Sequence, residues 1–134
     1  MPLEVQLVSP EQVLYRGEAR MVLARTMGGG DIAFLPGHAP FLGALETWPV
    51  TVVLEGNQEY KFAVHGGFVE VANDRVIVLS DVAELPESID VDRARASLAA
   101  AEGALRANPD DADATAAAAR ARVRLDVAGA TTPA

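Results

Sequence analysis

An N-terminal antiparallel β-sandwich followed by a C-terminal antiparallel two-helix hairpin is the fold that this chain predicts. Three observations predict it. Apolar and polar residues alternate with period two in many short runs over residues 1–86. Glycine, proline and asparagine separate those runs at close spacing. From residue 87 to 134 the β-branched runs give way to alanine, and apolar residues recur three and four apart. The boundary between a sandwich domain (1–86) and a helical domain (87–134) falls at that change of period.

The strands follow in order. "LEVQLVS" (3–9) alternates strictly, as a strand with one face on a core does. "QVLYRG" (12–17) follows a Ser-Pro turn, and "ARMVLART" (19–26) and the short "DIAFL" (31–35) come next. "PVTVVLE" (49–55), "QEYKFAVH" (58–65), "GFVEVA" (67–72) and "RVIVLSD" (75–81) complete the series. "EGN", "HGG" and "AND" separate these four, which predicts a meander of hairpins. In the second part, Val91, Ala94, Leu98, Ala101 and Leu105 form one helical stripe, with Ser88 or Asp90 placed to cap its start. "NPDD" (108–111) breaks the helix, because proline disfavours helical geometry in the residue before it. Asp110 or Asp111 then caps a second helix running to Gly129, and "TTPA" reads as a frayed tail. The stripe is thin and rich in alanine, so the hairpin should dock weakly and be able to move.

Composition narrows the function. Hydrophobic residues make up 50% of the 134, yet aromatics only 5%, and much of the apolar count is alanine in the last third. Alanine buries little area, so the core belongs to the first part, where Val, Leu, Ile and Phe concentrate. The net charge is -8, mostly carried by the sandwich part, which argues against nucleic acid and anionic lipid as partners. There is no cysteine, which removes disulfides, thiolate nucleophiles and cysteine-ligated metal. Met1 leads straight into "PLEVQLVSP", with no basic start and no apolar segment, so no signal peptide is expected. No run approaches the ~18 apolar residues of a membrane span, so direct membrane insertion is not expected.

Enzyme chemistry finds no home. His38 and His65 lie in different elements, and two histidines fall short of a zinc ligand set, so no metal site is expected. Ser80 and Asp81 lack a G-x-S-x-G elbow. "GGG" (28–30) is followed neither by a helical pattern nor by Gly-Lys-Ser/Thr, so it is a turn and not a phosphate loop. Arginine placement is more informative. Asp90 and Arg93 can share a face of the first helix, and Arg120 and Arg124 share one on the second, with Arg122 about 200° away from Arg120. Spacing alone leaves two readings: a solvated face with Asp90 and Arg93 as a local pair, or an anion held among Arg93, Arg120 and Arg124.

The order of these pieces resembles the epsilon subunit of F-type ATP synthase over essentially the whole chain. "GDIAFLPGHAPFLGAL" resembles the family's G-E-x-G-I-x-P-G-H-x-P-L segment, and "HGGFVEV" its S-G-G-F-x-E-V. "VIVLSDVAE" resembles the following strand, and "IDVDRA" (89–94) the I/L-D-x-x-R-A stretch. Ala33 stands where the first segment has glycine, and Trp48 and Pro49 depart from the common pattern. The resemblance implies a central-stalk subunit without catalysis of its own, on the cytoplasmic face of the cell membrane. Its implied partners are the gamma subunit, the c-ring and, through an extended hairpin, the alpha/beta catalytic head. It implies that Asp31 and His38 lie in the c-ring docking loop. It also implies a hairpin that obstructs ATP hydrolysis when extended. ATP is the implied regulatory ligand of the folded hairpin, with no cofactor required, held through Glu84, Ile89, Asp90, Arg93, Arg120 and Arg124. Two rival readings stand beside it: a stand-alone ATP-responsive sensor, and a small β-sandwich hydrolase using His38.

Overall fold

The computed structural model describes residues 2–129. The tail expected to fray lies outside the described residues. Two five-stranded sheets stack face to face. One has the order β2-β1-β9-β8-β5, from strands β1 (Leu3–Val8), β2 (Val13–Ala19), β5 (Phe41–Ala44), β8 (Phe68–Ala72) and β9 (Arg75–Leu79). The other runs β10-β7-β6-β3-β4, from β3 (Met21–Thr26), β4 (Gly30–Phe34), β6 (Thr47–Val53), β7 (Glu59–His65) and β10 (Ala83–Glu84).

Period two places the core. Leu3, Val5 and Leu7 of β1 face Val22, Val52, Phe62 and Val64 of the opposite sheet, all fully buried. Val69, Val71, Val76 and Val78 complete the layer. Tyr15 of β2 stacks on Tyr60 of β7 with ring centroids 5.2 Å apart, tying the sheets together at one edge.

Two strands escape the sequence pattern, the four-residue β5 and the two-residue β10. The meander expected for the last four strands is also corrected. β6 with β7, and β8 with β9, are antiparallel hairpins. Between them, Gly66 and Gly67 carry the chain from one sheet to the other instead of turning it back. Nor is the sandwich wholly antiparallel, because β1 runs parallel to β9, with Val5 opposite Val76.

The hairpin comprises α1 (Val91–Ala107) and α2 (Ala112–Gly129). Of the two cap candidates for α1, Asp90 is used: its carboxylate accepts from the Arg93 backbone N–H at 3.1 Å. Asp111 caps α2, accepting from the Ala114 N–H at 3.0 Å. α1 buries Ala94 and Ala101 of the expected stripe against α2, and it is α2 that lies on β6 and β7.

Candidate functional site

The site begins with the alternation of β7. Tyr60, Phe62 and Val64 point into the core. Lys61, Ala63 and His65 point the other way, toward α2. Ala63 is buried against Val123 and Val127, with Ile89 packed on the same cluster. On one side of that apolar contact, Lys61 Nζ lies 3.5 Å from Asp126. On the other side stands a tighter group centred on Glu84, whose strand β10 pairs with β7.

Glu84 Oε1 accepts from Arg124 Nε at 2.7 Å and meets His65 Nε2 at 2.8 Å. Partial burial pushes the Glu84 carboxyl up, but the hydrogen bonds from Arg124 and His65 outweigh it and hold it below the ordinary value. Burial pushes His65 down; Glu84 opposes this, and the positive charges of Arg124 and Arg120 add to it, so the net direction is down. The imidazole is therefore the neutral form near pH 7.

A cleft of about 220 Å³ opens beside this group, lined by Glu84, Ser88, Asp90, Arg93, Ala94, Ser97 and Arg124. It thus brings together four of the six residues of the implied ATP site: Glu84, Asp90, Arg93 and Arg124. Ile89 lies outside the lining and serves the apolar cluster instead. Arg120 is also outside it and acts on His65 through its charge. Asp90 and Arg93 do not form the side-chain pair that spacing allows, because the Asp90 carboxylate caps the helix. Among the described residues, the Arg93 guanidinium makes no hydrogen bond or ion pair, and Arg93 is exposed. The Ser97 hydroxyl was missed by sequence reading; its i+4 spacing from Arg93 was the signal that could have found it.

Asp31 and His38 are not brought together. Asp31, near the start of β4, forms a two-point pair with Arg25 of β3, at 2.8 and 3.3 Å. That hydrogen bond holds the Asp31 carboxyl below its ordinary value. Arg25 in turn lies 3.5 Å above the ring of Trp48, so Trp48 acquires a partner that its sequence context did not suggest. His38 sits beyond the other end of β4, edge-on to Phe34 and Phe41. Its loop is pinned by the Gly37 N–H, which donates to Asp74 at 2.6 Å. Ser80 is buried, and its hydroxyl donates to the Gly66 carbonyl at 2.7 Å, tying the crossover to the end of β9. Among the described residues no three metal-ligating side chains cluster. No helix among them is long and apolar enough to cross a membrane.

A sandwich of two five-stranded sheets with a two-helix hairpin lying on one of them defines the architecture, and two family models match it in that order. The ATP synthase delta/epsilon chain β-sandwich domain matches residues 2–86, and the delta/epsilon chain long α-helix domain matches residues 87–129. The chain belongs to the ATP synthase delta/epsilon chain family. An ATP synthase epsilon chain from Brevibacillus brevis is 47% identical over 103 residues, covering 77% of each chain. One from Thermobifida fusca is 48% identical over 103 residues, covering 75% of this chain and 74% of the relative. Among solved structures, a chain of the Euglena gracilis mitochondrial ATP synthase (OSCP/F1/c-ring) matches with TM-score 0.68 at 21% identity. It covers 96% of this chain and 78% of its own. A chain of the Tetrahymena thermophila mitochondrial ATP synthase central stalk and c-ring matches with TM-score 0.58 at 14% identity, covering 96% and 97%. At those identities the two structures speak for the fold.

Proposed function

We propose that this chain is a non-catalytic rotor subunit of a proton-translocating F-type ATP synthase, peripheral to the cytoplasmic face of the cell membrane. In this reading the sandwich joins the gamma subunit to the c-ring. The hairpin moves between a docked state and one extended toward the alpha/beta head, where it obstructs ATP hydrolysis. ATP favours the docked state.

The observation that carries the regulatory part is the cleft that Arg93 and Arg124 share with Ser88 and Ser97. It exists only while α2 lies on the sheet, since Glu84 comes from β10 and Arg124 from α2. A polyanion bound there would meet one uncommitted guanidinium, Arg93, and one already engaged by Glu84. Binding to the docked form alone shifts the equilibrium by the ligand's differential affinity. The small apolar contact of Ala63, Val123 and Val127 leaves a gap between the states that a weak ligand could bias. For the sandwich, the pinned loop around His38 and the paired Asp31 support a preorganised docking surface that loses little entropy on binding.

The experiment is an ATP titration of the full chain with a helix-to-sandwich distance label, repeated on Arg93→Ala. Saturable compaction in the wild type, weakened at least tenfold in Arg93→Ala, is expected; equal compaction in both removes ATP from the cleft. Co-purification with gamma separates a rotor subunit from a stand-alone sensor, which would bind ATP without gamma.

A further inference from the structure

Among the described residues, His65 Nδ1 is the buried side-chain polar atom left without a hydrogen-bond partner. Such an atom is costly, and native proteins hold few of them. The imidazole is 3% exposed. Its other nitrogen, Nε2, meets the same Glu84 oxygen that receives Arg124, at 2.8 and 2.7 Å. Glu84 is ionised and can only accept, so Nε2 carries the proton and Nδ1 presents a bare lone pair. One carboxylate oxygen thus joins a histidine of the sheet to an arginine of the mobile helix.

We propose that His65 is a proton-operated latch: uptake of a proton at Nδ1 releases α2 from the sheet, and loss of that proton lets it dock. The inference rests on the reading that the hairpin leaves the sheet.

Protonation would place a donor at Nδ1, an atom shut off from solvent and bonded to no acceptor. It would also set a third positive charge beside Arg120 and Arg124, with Glu84 as the single carboxylate among them. His65 also borders a cleft lined by Ser9, Ser80 and Asp81, and Thr47 is its cross-strand neighbour, yet none of them bonds Nδ1. β6 carries no ionisable side chain. On α2, Asp126 is engaged with Lys61 of β7, and Arg122 with Glu102 of α1. Glu87, in the turn Pro86–Ser88, acts on Tyr60 of β7, and Glu59 and Asp81 are exposed. Undocking reverses each cost at once: water reaches Nδ1, and Arg120 and Arg124 depart with the helix.

The sign follows from linkage. His65 is held down in the docked state by burial first, so the undocked state binds the proton more readily. Docking therefore strengthens as pH rises and weakens as pH falls through the ordinary histidine value of 6.5. Glu84 is held below its own ordinary value of 4.5, so its titration belongs to a lower window.

The chain has no cysteine, so a spin-label pair at Glu55→Cys and Asp113→Cys reads docking directly in the full chain without nucleotide. The docking constant should fall by up to about tenfold between pH 7.5 and 5.5. His65→Gln keeps a side-chain donor for Glu84 but cannot titrate, and its docking should be flat over that window. An equal fall in His65→Gln, or no fall in the wild type, overturns the latch. Should His65→Gln fail to fold, the ring titration of His65 by NMR decides. It should move up when Val127→Asp forces the helix off the sheet, and an unchanged titration overturns the proposal. A pH-dependent release indifferent to His65 would leave the mobile-hairpin reading standing. A hairpin that stays docked at every pH, even with Val127→Asp, would end both.

Discussion

Gly67 sits where no side chain fits. Its φ is +116°, and a Cβ built there would lie 2.1 Å from the Leu79 carbonyl oxygen. The backbone of the crossover between the sheets passes directly against β9. Gly67→Ala is expected to cost about 3 kcal/mol or more, since strained backbone and a backbone clash combine; the midpoint of urea unfolding measures it. The glycine pair was legible in "HGGF", but its purpose was not. Two glycines between apolar runs look the same whether the chain turns back or crosses over, and only the pairing of β8 with β9 and β5 decides it. Trp48 teaches the same lesson. It is 41% exposed at the start of β6, and its partner is Arg25, three strands earlier in sequence.

The helices and most strands were legible because each carries its own local signal. α1 and α2 begin at the aspartates that cap them and are separated at Asn108-Pro109, as charge, proline and alanine content predict. Asp111→Ala should remove about 1 kcal/mol from α2. Because α2 is the helix that touches the sheet, this loss should appear as weaker hairpin docking, read by faster amide exchange in α2 with β7 unchanged. The elements that escaped are the ones with no signal to give. β5 is four residues with Gly43 among them, and β10 only two. Both form because a neighbouring strand offers its edge. The choice of docking helix escaped for a related reason: α1 has the cleaner stripe, but its stripe is spent on α2.

At the scale of the whole molecule, the sandwich has a deep core, and the apolar cluster joining the hairpin to the sheet is small, with Ala63, Val123 and Val127 buried and Ile89 packed on them. Val127→Ala should weaken docking by roughly 1–2 kcal/mol while leaving the unfolding midpoint of the sandwich in place. The single tryptophan makes the measurement simple. Trp48 lines a cleft of about 350 Å³ with Ala119, Arg122, Val123 and Asp126 of α2, so its emission should report departure of the helix. Of the candidate site, Arg93 was visible in the "IDVDRA" stretch and Arg124 in its spacing from Arg120. His65 was visible only as a histidine. Its burial, its orphaned nitrogen and its shared carboxylate depend on β7, β10 and α2 meeting, which no window of sequence contains.

The parallel pairing of β1 with β9 has a consequence for the birth of the protein. β1 is an inner strand, flanked by β2 on one side and β9 on the other. Its second neighbour is made about seventy residues after it. A nascent chain therefore holds one edge of β1 unpaired until β9 has left the ribosome, at ~5–20 residues per second several seconds of exposure. The hairpin, whose contacts are local, can form as soon as it emerges. The hairpin is thus the part that can assemble fastest, and the sandwich beneath it is the slow step of folding.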